Sequence, residues 1–214
     1  METDDERAEI HWGVMLVLLV SAFLLEPLFG SSKVIEVTSL VLFELTIVGS
    51  IIMSAKARWL RAAGGALALI WFSYSLLAVF GIRMSGNLAY LTVILVLGAL
   101  AVTFRILLRE GRGNVETLLG AIFGYLLLGM AWAMLYVQIE RNFPGSFAMP
   151  EGADIWSTML YFSLVTLTTL GYGDILPNSS LAMMSAGFEA VVGVLYIAVM
   201  VGSIVGNLKA ERRR

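Results

Sequence analysis

Cysteine is absent from this 214-residue chain, and histidine occurs once, at His11. Without cysteine the chain forms neither disulfides nor thiolate metal sites, and a single histidine is too little for a metal cluster. Charge is also scarce, because 14% of the residues are charged and the net charge is −2. That balance argues against nucleic-acid binding through bulk electrostatics. We therefore expect neither a nucleic-acid partner nor a cofactor.

Apolar residues, in contrast, make up 59% of the chain, and the mean hydropathy is +0.87. Such values lie outside those of a soluble globular domain and indicate an integral membrane protein. Residues 1–10 hold five acids and one base, whereas a secretory signal peptide starts with basic residues. We therefore expect 1–10 to be a cytoplasmic tail and the first apolar segment to be retained as a membrane span.

The apolar segments indicate an all-α membrane protein with six transmembrane helices. A span needs about 20 mainly apolar residues to cross the bilayer core. The segments that satisfy this requirement cover about 11–29, 34–55, 62–82, 87–108, 115–139 and 180–207. Between the last two, residues 154–167 are apolar but too few to cross. They predict a re-entrant helix that stops midway, with Asp154 as its N-cap.

The Lys and Arg residues of the short loops set the orientation. If both termini are cytoplasmic, eleven basic residues lie inside and three lie outside. The inner set is Arg7, Lys56, Arg58, Arg61, Arg105, Arg109, Arg112, Lys209, Arg212, Arg213 and Arg214, and the outer set is Lys33, Arg83 and Arg141. This bias places 140–178 outside, so the re-entrant helix enters from the outer face and the segment after it returns there.

That returning segment reads Thr168-Thr169-Leu170-Gly171-Tyr172-Gly173-Asp174. Glycine permits several consecutive backbone carbonyls to face one axis, a conformation that other residues resist. Since Gly171 and Gly173 alternate with larger residues, the carbonyls can point inward while Leu170 and Tyr172 pack outward. Such carbonyls can replace the hydration shell of an ion. The alternative is a Gly-rich turn between two helices.

The motif resembles the selectivity filter of potassium channels. Residues 161–170 resemble the pore helix and filter entry of the voltage-gated type, in which two Trp usually stand at the positions of Tyr161 and Phe162. Residues 193–198 resemble the inner helix of that family around its hinge glycine. The resemblance covers about residues 115–208 and is to prokaryotic six-transmembrane members that have a single pore loop.

The resemblance implies roles for individual residues. The ion-binding residues would be Thr169, Leu170, Gly171, Tyr172 and Gly173, with K⁺ held at the first four. Thr168 and Asp174 would support the filter. Asp174 would bond an aromatic side chain of the pore helix, here Tyr161, although a solvated acid at the outer mouth is the alternative. Gly193 would be the gating hinge, or else a glycine kept for close helix packing.

The resemblance also implies the assembly and the activity. One filter loop per chain requires a homotetramer, here in the plasma membrane. The activity would be passive K⁺ conduction, and the protein would not be an enzyme. The alternatives are a weakly selective cation channel on the same pore, a subunit of an ion-coupled K⁺ transporter, or a non-conducting membrane sensor. A separate regulatory subunit is left open.

The predicted domains are a four-helix, voltage-sensor-like domain over 11–112, a pore domain over 113–208 and a basic cytoplasmic tail over 209–214. Because that tail is short, we expect no cytosolic ligand-binding domain. The fourth span has no Lys or Arg from 87 to 104. Because voltage sensing requires charge that moves through the membrane field, we do not expect steep voltage gating.

Two acids lie inside predicted spans, where an ionisable residue is a functional-site hypothesis. Glu44 is close to mid-membrane, either as a protonated carboxyl bonded to Ser73 or Tyr74 or as a remnant of a sensor's charge-pairing acid. Glu189 lies one turn before Gly193. It either tunes the cavity for cations or sits behind the pore helix, hydrogen-bonded to Ser or Thr.

Overall fold

The computed structural model of the protein describes residues 12–30, 32–54, 58–80, 98, 100, 101, 103, 104 and 115–211. Most of the predicted fourth span, the predicted domain boundary between 112 and 113, and the N-terminal tail lie outside the described residues. The chain forms two compact units, one within Met1–Met84 and the other within Ser85–Arg214.

The described residues of the first unit form three helices: α1 (Trp12–Phe29), α2 (Lys33–Ser54) and α3 (Arg58–Val79). Helix α1 packs against α2, and α2 packs against α3. Helix α1 ends where Gly30 adopts φ +79°, a backbone conformation that favours glycine, and the Gly30 N–H donates to the Glu26 carbonyl over 2.9 Å. This left-handed residue ends α1, and α2 begins three residues later.

The second unit contains α4 (Val115–Asn142), β1 (Phe147–Ala148), α5 (Ile155–Leu167), β2 (Leu176–Pro177) and α6 (Ser180–Glu211). The three helices pack against one another in every pairing. The two short strands are antiparallel, with Phe147 opposite Pro177 and Ala148 opposite Leu176. This pairing joins the segment before α5 to the segment after the Gly-Tyr-Gly loop, which we define as residues 168–174.

Helix α5 has a polar cap at its start, as the sequence predicted. Asp154 has extended backbone, and its Oδ2 accepts from the Ser157 N–H over 2.8 Å. Such a cap satisfies one of the backbone N–H groups that the first turn leaves without an intrahelical partner. The helix is 13 residues long and therefore about 20 Å in length, too short to cross a bilayer core.

An aromatic cluster fills the space between α4, α5 and β1. Tyr136, Phe147 and Phe162 meet edge to face, with ring centroids 5.2 to 5.4 Å apart, and all three side chains are buried. Edge-to-face geometry suits the quadrupoles of aromatic rings and adds to the hydrophobic gain of burial. The cluster fixes α5 against α4 and thereby positions the loop that follows α5.

Three described helices are long and apolar enough to cross a membrane: Trp12–Phe29, Val115–Asn142 and the Ser180–Met200 part of α6. Two shorter apolar helices accompany them, Gly65–Leu77 within α3 and α5 itself. The predicted spans 34–55 and 62–82 correspond to α2 and α3, each of 22 residues. The described part of the chain is therefore that of a mostly helical membrane protein.

Candidate functional site

The backbone of the Gly-Tyr-Gly loop alternates in the sign of φ. Thr169 and Gly171 have φ +57° and Gly173 has φ +79°, whereas the residues between them do not have positive φ. Alternation between left-handed and ordinary backbone turns successive peptide groups so that like polar atoms face one side. A loop of this kind can present a row of carbonyl oxygens on one side.

Thr169 carries local strain. It is the one non-glycine residue with positive φ in the described part of the chain, and the left-handed region costs an L-residue about 1–2 kcal/mol. Two hydrogen bonds hold it there: the Thr169 N–H donates to the Thr166 carbonyl, and the Leu170 N–H donates to the Val165 carbonyl, each over 2.9 Å. The last turn of α5 therefore imposes the conformation with which the loop begins.

Tyr161 supports the far end of the loop. Its hydroxyl donates to Asp174 Oδ2 over 2.7 Å, which is the contact that the resemblance to potassium channels implied. Its ring is parallel to the Tyr172 ring within 5°, with the centroids 6.4 Å apart. The hydrogen bond to Asp174, with smaller contributions from burial and from the nearby acid's charge, raises the pKa of Tyr161 to about 12. The hydroxyl is therefore a donor at any physiological pH.

The larger side chains of the loop are exposed in the single chain. Leu170 is 55% exposed and Tyr172 is 66% exposed, although both are apolar or aromatic. Helix α6 likewise exposes large apolar side chains along much of its length, among them Met184, Phe188 and Leu195. An apolar surface of this extent is typical of a protein that lies in lipid or against further subunits.

The C-terminus of α5 is in close contact with α4 and α6. The Tyr125 hydroxyl of α4 donates to the Leu167 carbonyl over 2.9 Å. On the α6 side, a Cβ added at Gly193 would clash with the same carbonyl oxygen. Gly193 therefore lets α6 approach the base of the loop, and α6 runs through this position without interruption. The predicted hinge role of Gly193 stays a prediction.

Glu189 is fully buried between the three helices. Its carboxyl oxygens lie 2.5 Å from the Tyr136 hydroxyl of α4 and 2.5 Å from the Ser163 hydroxyl of α5. Of the two environments that the sequence left open, the structure gives it the one behind α5, with serine among its partners. The side chain does not line the surface of the loop.

Part of the second unit resembles a known protein family. Residues 121–209, which include the loop, α5 and nearly all of α6, match a protein family described as "Ion channel". We refer to residues 121–209, which are similar to this family, as the ion-channel domain. The Gly-Tyr-Gly loop lies within this domain. So do the contacts of Leu167 with Tyr125 and Gly193 and the contacts of Glu189.

Part of this chain is also similar to named potassium channels from different organisms. It is 33% identical over 109 residues to "Potassium voltage-gated channel protein shk-1" of Caenorhabditis elegans, covering 51% of this chain and 19% of the relative. It is 31% identical over 113 residues to a "Cyclic nucleotide-gated potassium channel" of Rhizobium etli, covering 52% of this chain and 30% of the relative.

A third relative is much shorter. "Potassium channel protein kcv" of Paramecium bursaria Chlorella virus 1 is 36% identical over 52 residues, which cover 22% of this chain and 55% of the viral protein. The chain therefore spans about a fifth to a little over half of the length of these relatives. No solved structure matches the chain.

The ion-channel domain contains a further supporting acid that the sequence did not reveal. Glu140, near the end of α4, is buried and accepts from two backbone N–H groups, that of Gly145 over 2.8 Å and that of Phe147 over 3.0 Å. It thereby anchors the turn that leads into β1. A signal was present, because an acid at the end of an apolar helix precedes a Pro-Gly turn, but that pattern does not name the two donors.

Glu44 lies outside the ion-channel domain, on α2. It is buried, and among the described residues neither of its carboxyl oxygens has a hydrogen-bond partner. The predicted bond to Ser73 is therefore not formed, and the Ser73 hydroxyl donates instead to the Leu69 carbonyl over 2.8 Å. The side chain of Tyr74 lies outside the described residues.

Proposed function

We propose that the chain is one subunit of a homotetrameric channel that conducts K⁺ passively, with the Gly-Tyr-Gly loop as its selectivity filter. The observation that carries this proposal is the alternation of φ at Thr169, Gly171 and Gly173 within a domain of the ion-channel family. Four such loops around one axis supply rings of carbonyl oxygens that replace the hydration shell of a cation.

The ion sites are the carbonyls of residues 169–172, with Gly173 completing the filter. The side chain of Thr169 adds a hydroxyl oxygen at the inner end. Below it, four copies of α5 direct their C-terminal ends at the axis. Helix C-termini carry partial negative charge, so this arrangement favours a cation in the cavity. The chain's own contribution to selectivity is thus the geometry of the backbone, to which the Leu170 side chain does not contribute.

The exposed apolar side chains support the tetramer. A single loop forms only one side of a pore. In the single chain, more than half of the surface of Leu170 and of Tyr172 is exposed. Irregular backbone at membrane depth is tolerated only where it is buried in protein or lines water. Neighbouring subunits around a fourfold axis satisfy both conditions, because they cover the outer side of each loop and enclose a water-filled pore.

The channel lies in the plasma membrane with six spans and both termini in the cytoplasm. The bias of eleven basic residues inside to three outside supports this orientation. Residues 11–112 form a sensor-like domain without gating charges, since no basic residue occurs from 87 to 104. Each charge that crosses the field contributes about 2.3 kcal/mol per 100 mV, so a domain without such charges gives a weakly voltage-dependent conductance.

The deciding experiment is flux through the purified protein in liposomes. Under opposed K⁺ and Na⁺ gradients, the proposed channel gives a current that reverses near the K⁺ equilibrium potential, and protein-free liposomes give none. A reversal potential near zero indicates a weakly selective cation channel. Saturating uptake that requires a second ion gradient indicates a transporter subunit. A conductance that rises steeply with voltage contradicts the gating part of the proposal.

A further inference from the structure

Glu189 is the most deeply buried acid of the described residues, with 0% of its side chain exposed. Its two partners are neutral hydroxyls on different helices. The Tyr136 hydroxyl of α4 lies 2.5 Å from Oε2, and the Ser163 hydroxyl of α5 lies 2.5 Å from Oε1. A buried carboxylate without a cation beside it is costly, and more so at membrane depth, where ionised side chains are rare.

A count of hydrogen atoms decides the protonation state. The Ser163 oxygen lies within hydrogen-bond distance of two acceptors, Glu189 Oε1 at 2.5 Å and the Gly129 carbonyl oxygen at 2.6 Å. A serine hydroxyl carries one hydrogen and can donate to only one of them. The carbonyl has no hydrogen to offer. Both contacts are hydrogen bonds only if the carboxyl of Glu189 supplies the second hydrogen.

We propose that Glu189 is a neutral carboxylic acid whose proton is donated to Ser163, and that it acts as a positioning residue for the loop. The hydrogen bonds then run in one direction: Tyr136 donates to Glu189, Glu189 donates to Ser163, and Ser163 donates to the Gly129 carbonyl. Every polar atom in the chain of bonds is satisfied, which is the condition under which a buried polar network stabilises a fold. The network joins α4, α5 and α6.

The position of the network explains why it acts on the loop. Ser163 lies one helical turn before Leu167, the last residue of α5, and Glu189 lies one turn before Gly193. Helix α6 therefore meets α5 on two successive turns, through the Glu189–Ser163 bond and then through the close contact of Gly193 with the Leu167 carbonyl. A displacement of α6 has to break the bond or move the end of α5, from which the loop starts.

Infrared spectroscopy of the purified protein tests the proton directly. We expect the wild type to show the carbonyl stretch of a protonated carboxyl, a band that shifts in deuterium oxide. This band should be absent from the spectrum of Glu189→Gln. Ser163→Ala should move that band to higher frequency, because the acid loses its acceptor. Loss of carboxylate bands in place of the carboxyl band would overturn the proposal. This test requires no ion flux and is independent of the proposed function.

The positioning role rests on the proposed function and needs a conduction measurement. The amide of Glu189→Gln has one NH₂ donor group and one carbonyl acceptor, in a side chain of nearly the same size as glutamic acid. After removal of external K⁺, the current of this variant should therefore persist for as long as that of the wild type. Glu189→Leu should lose current roughly tenfold faster, the change expected from leaving a buried hydroxyl without its partner. Equal rates in the Leu variant and the wild type would refute the positioning role.

Reconstituted wild type that passes no K⁺ would refute the proposed function but not the protonated acid. In that case thermal unfolding still separates the variants, because Glu189→Leu removes the network that Glu189→Gln retains. Equal unfolding temperatures for Glu189→Gln and Glu189→Leu would refute the positioning role. An infrared spectrum of Glu189→Gln that does not differ from that of the wild type would refute the protonated acid.

Discussion

Gly193 lies so close to the backbone carbonyl oxygen of Leu167 that an added Cβ would come well inside 3.0 Å of it, a separation below which such contacts are essentially never found. Because the obstacle is a backbone atom, no change of rotamer relieves it. Leu167 is the last residue of α5, so α6 touches the base of the Gly-Tyr-Gly loop through this glycine.

Gly193→Ala should destabilise the protein by about 2–3 kcal/mol, as overpacking of a well-packed core does. The measurement is the thermal unfolding of the purified protein in detergent. Gly187→Ala on the same helix is the matched control, since a Cβ at that position would have nothing within 4 Å of it, and alanine is the better helix former by about 1 kcal/mol. Wild-type stability of Gly193→Ala combined with altered gating would favour a hinge over a packing role.

Tyr161→Phe should shorten the time for which current persists during sustained conduction. The substitution keeps the ring beside Tyr172 but removes the 2.7 Å hydrogen bond to Asp174. Single-channel or macroscopic currents measure the effect, for which we expect a change of roughly tenfold or more, as the loss of one hydrogen bond to a charged group gives. Tyr161→Trp restores an N–H donor and should recover part of the lifetime. Identical kinetics in Tyr161→Phe and the wild type would rule out a functional role for the pair.

The Tyr161–Asp174 bond should resist alkaline pH. The pKa of the hydroxyl is about 12 in the fold and about 10 in an unfolded chain. Since the folded value is the higher one, the contribution of the bond is complete below about pH 10 and is lost as pH rises through about 12. The ratio of inactivation rates between Tyr161→Phe and the wild type should therefore be constant from about pH 7 to 9. Convergence of the two rates within that range would contradict this assignment.

Leu170→Val and Gly173→Ala should separate side-chain from backbone effects in the loop. Both alter one small group, but Gly173 has φ +79°, which an L-residue adopts at a cost of about 1–2 kcal/mol, whereas Leu170 does not have positive φ. We expect Leu170→Val to keep the K⁺ reversal potential and Gly173→Ala to shift it towards zero or abolish current. A large shift in Leu170→Val would show that the side chain takes part in selectivity.

Much of the local structure could be read from the chain. Asp154 is the N-cap that its place before an apolar run predicted, and α5 ends at Leu167, where the predicted re-entrant segment ends. The loop follows with positive φ at both of its glycines. These features depend on residues within a few positions of one another, so composition and spacing are sufficient to predict them.

Contacts between residues that are far apart in the sequence were harder to predict. For Glu189 and Gly193 the sequence left two interpretations each, and it did not single out Glu140 at all. Glu189 meets Ser163, which is 26 positions away, and Tyr136, which is 53 positions away. The residues that meet at such a site depend on how each of the three packed helices is rotated and shifted along its axis. A hydropathy pattern predicts the rotation and the shift only to within about one helical turn.

The sequence by itself determined that this is a membrane protein, where its apolar segments lie, and that residues 168–174 have the glycine spacing for a row of carbonyls, because hydropathy and backbone freedom are properties of short segments. Only the tertiary structure decided that Glu189 is buried between two hydroxyls behind α5 and that Gly193 lies against Leu167. Those contacts depend on how α4, α5 and α6 pack, and packing is settled by side-chain shape over the whole interface between the helices.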